Sequence, residues 1–324
     1  METTLSSQEN HRYLREKAGY FFLKDLCLIS AEGSDLFSYL QTQTTNDVNE
    51  LKPGQGQNNA IVDRKARVIS TFSLHRTGEE SAVILVETQQ KENLLDHLNS
   101  FLFREDVTLT LSNHFVFALQ GPKSQEIIKN FTRSDDSIPE KPNDICRFTF
   151  EGLPALAIAK SLTGEEGCVL VFQTESENPI SKKLLEFEQQ NLLTHIDPHA
   201  QEVFRIESGI PSYGKDINDK NILPETGLEH SSVSYNKGCY IGQEVIARIK
   251  TYGAPNFALM GLIIEGDTLP LHDDKIKLNS KKLGVIKSSI FSYSLQKNIS
   301  LAYIQKDHRS PDINLDVTIN NKPY

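Results

Sequence analysis

The stretch VFRIESGIPSYGKDINDKNILPETGLEHSSVSYNKGCYIGQEVIARIKTYG, residues 203–253 of a 324-residue chain, governs how the rest is read. It carries little helical or strand periodicity. Glycines stand at 209, 214, 227, 238, 242 and 253, and prolines at 211 and 224. A long, polar, glycine-punctuated run inside an ordinary globular sequence reads as a functional loop system more than as a linker. Its sharpest part is Lys237-Gly238-Cys239-Tyr240-Ile241-Gly242-Gln243-Glu244.

Upstream of it, two stretches follow one plan. In the first, an apolar run at 26–30 predicts a buried strand and Ser34 an N-cap for a helix over 35–42. Strands follow near 58–62, 68–75 and 82–87, then a helix over 91–103 with Leu94, Leu95, Leu98, Phe101 and Leu102 at helical spacing. In the second, a strand at 114–119 leads into a helix opened by Gly121-Pro122-Lys123-Ser124. Strands near 146–150, 153–159 and 168–173 and a helix around 180–190 complete it. Gly33 recurs as Gly121 and Thr88 as Thr174 at a nearly constant offset. The order of elements predicts an internal duplication of an α+β unit, against the competing reading of chance similarity. Downstream, short β-rich segments near 258–264, 275–278, 282–289, 299–303 and 313–319 predict a small antiparallel barrel or sandwich. The expected division is an α+β unit at 20–112, a second at 113–253 carrying the glycine-rich motif and interleaved with the first, and a β-barrel at 254–324.

Composition narrows the function classes. The chain is 38% hydrophobic and 24% charged, with net charge -9 and pI near 5.5. That balance argues against a nucleic-acid-coating surface. No apolar run reaches membrane-spanning length, and the first residues lack the apolar core of a secretory signal, so a cytoplasmic protein is expected. Cys27, Cys146, Cys168 and Cys239 form no C-x-x-C pair, so neither a disulfide framework nor a local metal site is expected. Walker, dinucleotide-binding, G-x-S-x-G and H-E-x-x-H motifs are absent.

Several side chains are candidates for chemistry. Cys239, with Lys237 two residues away and glycines nearby, suits a reactive thiol; the alternative is a small buried residue. The other three cysteines fall in or beside apolar strands and read as core. Gln243 and Glu244 open a helix running to about Ile249, where an acidic side chain complements the helix dipole. Arg205 and Glu207 would share one face of a strand, and a carboxylate there can bind paired N–H donors of a pterin; the alternative is a solvated ion pair. Asp63-Arg64-Lys65-Ala66-Arg67 reads as a basic hairpin tip able to touch an anionic tail, or as an ordinary solvated turn.

The run KGCYIGQEVIAR, with RIESGIPSYGKDI and LPETGLEHSSVSY upstream, resembles the YgfZ family of folate-binding proteins, relatives of the glycine cleavage T-protein aminomethyltransferase. The resemblance extends through YLQTQTTNDV (39–48), IVDRKARVISTFSLHR (61–76), LQGPKSQEII (119–128) and LGVIKSSIFSYSLQKNISLAYI (283–304). It implies a three-domain ring around a channel that binds tetrahydrofolate or a related folate, with iron–sulfur assembly proteins or client enzymes as partners and indirect effects on tRNA modification. It implies Cys239 as a reactive thiol or transient cluster ligand and Glu207 against the pterin. Arg64, Lys65 and Arg248 then fall to the anionic tail, with Arg205, Lys237 and Gln243 around the ligand. One position departs from the relatives: where aminomethyltransferases carry a catalytic aspartate, Ser70 stands here. A hydroxyl cannot supply that negative charge at neutral pH, so aminomethyl transfer is the alternative function.

Overall fold

A computed structural model describes residues 5–132 and 138–310, together with 318–319 and 322–323. Helix α1 (Ser7–Glu16) starts at a capping box in which Ser6 and Glu9 satisfy each other's end of the first turn. It leads to β1 (Gly19–Phe22). The first unit runs β2 (Leu26–Glu32), α2 (Leu36–Gln43), β3 (Gly56–Val62), β4 (Val68–Arg76), β5 (Ser81–Glu87), α3 (Lys91–Ser100) and β6 (Thr108–Ser112). The second runs β7 (His114–Gln120), α4 (Ser124–Ile128), β8 (Ile145–Phe150), β9 (Leu153–Ala159), β10 (Gly167–Gln173), α5 (Glu177–Gln189) and β11 (Thr194–His195).

The duplication is visible in the sheets. One is ordered β3-β4-β5-β2-β6 and the other β8-β9-β10-β7-β1-β11. Each strand of the first sheet therefore has a counterpart at the same place in the second. The fifth place is filled by β6 in one sheet and by the N-terminal β1 in the other. A single 3-10 turn precedes the last helix of each unit, at Thr88–Gln90 and Thr174–Ser176, which accounts for the recurring threonine. One face of each sheet packs on its own helices, around Leu40, Phe72 and Leu94 in the first unit and Phe117, Phe172 and Leu184 in the second. The opposite faces meet through Leu28, Leu85, Val116, Ile158 and Val171.

After β11 come α6 (Pro198–Glu207), α7 (Glu229–Ser232) and α8 (Gln243–Thr251). The strand expected around Arg205 and Glu207 is the end of α6. Asp197 caps that helix through the N–H groups of His199 and Ala200, and Pro198 occupies its first turn. Burial of Ala200, Val203, Phe204 and Ile206 follows helical spacing. A smaller correction concerns α2, whose N-cap is Asp35 and not Ser34. The Ser34 hydroxyl instead donates to the Asp106 carboxylate at 2.9 Å.

The C-terminal β-barrel comprises β12 (Phe257–Ile264), β13 (Lys275–Leu278), β14 (Lys281–Ser292), β15 (Lys297–Gln305), β16 (Thr318–Ile319) and β17 (Lys322–Pro323). Its order is β12-β15-β14-β13-β16-β17, with antiparallel pairing throughout. Most of the strand expected at 313–319 lies outside the described residues; 318–319 are strand. The barrel seats on α6 through Ile290, Ile299 and Leu301 against Val203 and Ile206. No helix among the described residues is long and apolar enough to cross a membrane.

Candidate functional site

All three parts of the chain meet around one cavity of about 560 Å³. The first unit contributes Leu26, Asn58, Thr71, Ser73, Leu85 and Glu87. The second contributes Asn143, Lys160 and Ser161, the loop after α6 Ile210 and Pro211, and the barrel Leu259, Met260 and Leu301. The volume falls within the range of small-molecule sites, as does a mostly apolar lining with a few polar groups.

Glu87 ends β5 and is the acidic residue of this lining. Gln89 donates to its Oε2 at 2.8 Å, and no ion pair to Glu87 occurs among the described residues. Burial pushes its pKa up, against the hydrogen bond from Gln89 and the charge of Arg205. Gln89 also donates to the Tyr213 carbonyl at 2.5 Å, tying the strand end to the loop after α6.

Across from β5, Ser73 and His75 project from the cavity side of β4. His75 is fully buried. Its Nδ1 lies 2.9 Å from the Asn143 carbonyl and its Nε2 2.9 Å from the Ser73 hydroxyl. A carbonyl only accepts, so Nδ1 carries the proton and Ser73 donates to Nε2. Burial first, then the nearby Lys160 charge, lowers the His75 pKa to about 3.

The place of Ser70 is set by β4. Ser70 is fully buried, and its hydroxyl has no hydrogen-bond partner among the described residues. It alternates with Phe72 and Leu74, which belong to the helix-side core, and the cavity is lined by Thr71 and Ser73 together with Phe72. Neither Ser70 nor its neighbour Thr71 offers a carboxylate.

The residues singled out from sequence lie elsewhere, and none of the eight lines the cavity. In a helix, residues two apart point to different sides, so Arg205 and Glu207 part company. Arg205 donates to Glu202 at 2.8 Å, Asp216 at 2.6 Å and Ser288 at 3.0 Å. Glu207 accepts from Arg15 at 2.9 Å, from the hydroxyl of Ser292 at 2.6 Å and from that of Ser294 at 2.8 Å, with His11 at 2.9 Å. Burial would raise the Glu207 pKa, but the hydrogen bonds from His11, Ser292 and Ser294 outweigh it and hold the carboxyl far below the usual range. Glu207 thereby forms a clasp that joins α1, α6 and the barrel.

Cys239 is exposed, while Cys168 is buried in the second unit's core and Cys27 and Cys146 pack at core edges. Lys237 does not turn toward the thiol as expected. Its ammonium is buried and donates to the carbonyls of Thr44 at 2.6 Å and Asn46 at 2.7 Å, over the Tyr240 ring. Burial lowers its pKa to about 8, partly offset by Asp47. Lys237 and Tyr240 thus pin both flanks of an outward-facing Cys239. Gly242 holds φ at +84°, and a Cβ there would come within 2.5 Å of the Asp63 carbonyl. Only glycine lets the loop sit on the basic hairpin. Arg64, Lys65 and Arg248 are exposed, Gln243 is half-buried, and all belong to this outer surface.

Two α+β repeats and a barrel closing on one cavity define a T-protein-like class. The chain belongs to the GCVT N-terminal domain family, matched over residues 2–237, and residues 258–324 match the glycine cleavage T-protein C-terminal barrel domain. An aminomethyltransferase of Bacillus cytotoxicus is 27% identical over 325 residues, covering 98% of this chain and 87% of the relative. One of Bacillus cereus is 26% identical over 322 residues with the same coverage. The glycine cleavage system aminomethyltransferase T of Bartonella henselae superposes with a TM-score of 0.87 at 18% identity, covering 98% and 87% of the two chains. That last likeness bears on the fold alone.

Proposed function

We propose that this chain binds a reduced folate in the central cavity and acts in one-carbon metabolism. The observation that carries the proposal is Glu87, a half-buried carboxylate with no ion-pair partner among the described residues, in a cavity whose lining is apolar or neutral apart from Lys160. The donor set fits the ligand. A carboxylate pairs with the adjacent N–H donors of an aminopyrimidine edge, hydroxyls of Thr71 and Ser73 suit a polar ring rim, and Leu26, Leu85, Leu259 and Met260 suit its flat faces. Tetrahydrofolate when bound would supply the one-carbon carrier; Glu87 would orient it and exchange a proton with its donor edge. The named relatives favour a one-carbon transferase of the T-protein kind. In such a transferase, the cavity carboxylate serving the reaction would be Glu87, because β4 offers only hydroxyls there. Calorimetric titration with tetrahydrofolate, followed by turnover of methylene-tetrahydrofolate with an amine donor, tests both parts. Absence of binding rejects the proposal, and binding without turnover rejects the transferase.

A second reading has its own support. The KGCYIGQE run resembles the YgfZ branch, and Cys239 is displayed outward on a pinned loop, away from the cavity lining. This suits an accessory role in iron–sulfur cluster assembly, in which the thiol meets a partner protein. A cluster typically needs four thiolate-class ligands, so a single cysteine would share it. Under this reading Cys239→Ser lowers iron–sulfur enzyme activity in cells without altering the melting temperature. Full complementation by that variant removes the thiol from the mechanism.

A further inference from the structure

Lys160 is the cation of the central cavity, and it has no counter-ion among the described residues. It follows β9 directly, and its backbone is fixed on both sides: its N–H donates to the Gly167 carbonyl at 3.0 Å, and its carbonyl accepts from Gln120 at 2.9 Å. From there the side chain reaches across to the first unit, where the ammonium meets the side-chain amide oxygen (Oδ1) of Asn58 at a long 3.5 Å. Among the described residues no carboxylate pairs with it. The titratable neighbour facing it, His75, is held neutral. An ammonium taken from water without a counter-ion is destabilising, and such a group facing a cavity is a candidate for binding an anionic ligand.

Its position adds the direction of the ligand. Pro142, Ala159, Lys160 and Ser161 line the central cavity and also an outer cleft of about 740 Å³. Lys160 therefore stands at the wall shared by the two, whereas Glu87 lines the central cavity and not the outer cleft. We infer that Lys160 holds the carboxylate end of the ligand at this neck, so that a folate lies with its ring toward Glu87 and its glutamyl carboxylate toward Lys160. The inference rests on the folate reading of the cavity. It gives the ligand's negative end a residue inside the cavity, a place the exposed Arg64, Lys65 and Arg248 do not occupy. The burial that lowers the Lys160 pKa to about 8 leaves the amine mostly charged at neutral pH and ready to pair.

The test compares two ligands on the full chain: 5-formyltetrahydrofolate, which has the carboxylate tail, and 6-methyltetrahydropterin, which lacks it. Lys160→Met should weaken the first by about tenfold or more, the scale of a charged hydrogen bond. The pterin affinity and the melting temperature should stay at or above wild type, because the variant removes an unpaired charge. Lys160→Arg should retain most of the folate affinity. Equal folate affinity in Lys160→Met overturns the inference while the folate reading stands. A lowered melting temperature with both ligands weakened alike also overturns it, in favour of a structural lysine. A wild-type chain that binds neither ligand rejects the folate reading first, and the inference with it.

Discussion

His75 is a neutral imidazole locked between a carbonyl acceptor and a hydroxyl donor, with a cation nearby. Its folded pKa of about 3 lies below the ordinary 6.5. The unfolded chain therefore takes up a proton on His75 below about pH 6.5, while the native chain does not until about 3. By linkage, stability falls as pH drops through that window. Urea denaturation of the wild type at pH 7 and pH 5 should show this loss, and His75→Gln should lose less between the two. An equal pH dependence in both proteins would mean that His75 is not held neutral. Glu87 and Lys160 left a trace in the sequence that passed unread. Each is a charge directly ending an apolar run, AVILVE at 82–87 and LPALAIAK at 153–160. A charge at such an end usually turns to water, and only the packing of the other units brings these two inward.

Helix α6 is the element on which the site reading turned. Its start was legible, since Asp197-Pro198 is a cap followed by a first-turn proline, and Ala200, Val203 and Phe204 follow at three- and four-residue steps. Beyond 208 the glycines at 209, 214 and 227 leave no periodicity to mark where the helix ends. A two-residue spacing that joins side chains on a strand separates them on a helix, and Arg205 and Glu207 accordingly turn to different partners. What α6 does instead is clasp. Glu207 gathers α1 through His11 and Arg15 and the end of the barrel through Ser292 and Ser294. Its side chain is 5% exposed. Removing one partner of a buried charged set typically costs about 3–5 kcal/mol, so Glu207→Ala should lower stability on that scale in urea denaturation. A change under about 1 kcal/mol would show that the clasp is energetically idle. The Lys237–Tyr240 pins were hidden for a different reason. The backbone carbonyls of Thr44 and Asn46 that receive Lys237 are nearly two hundred positions away in sequence.

At the scale of the whole molecule, the duplicated order of elements and the β-rich tail were readable because each follows from local periodicity and turn chemistry. The offset of Thr88 and Thr174 even marked the paired turns before α3 and α5. The exchange that places β1 in the second sheet was not readable, since strand pairing across about a hundred residues has no local signature. The cavity was hidden likewise, because its lining comes from the first unit, the second unit, the loop after α6 and the barrel, each supplying a few side chains. In the proposed function, Glu87 in that cavity is the acceptor for a reduced folate. Calorimetric titration of tetrahydrofolate into wild type and Glu87→Gln tests it most directly. The account predicts one ligand per wild-type chain and an affinity at least about tenfold weaker in the variant, as expected when a charged acceptor is lost. No heat of binding in the wild type, or equal affinity in the two proteins, would contradict it.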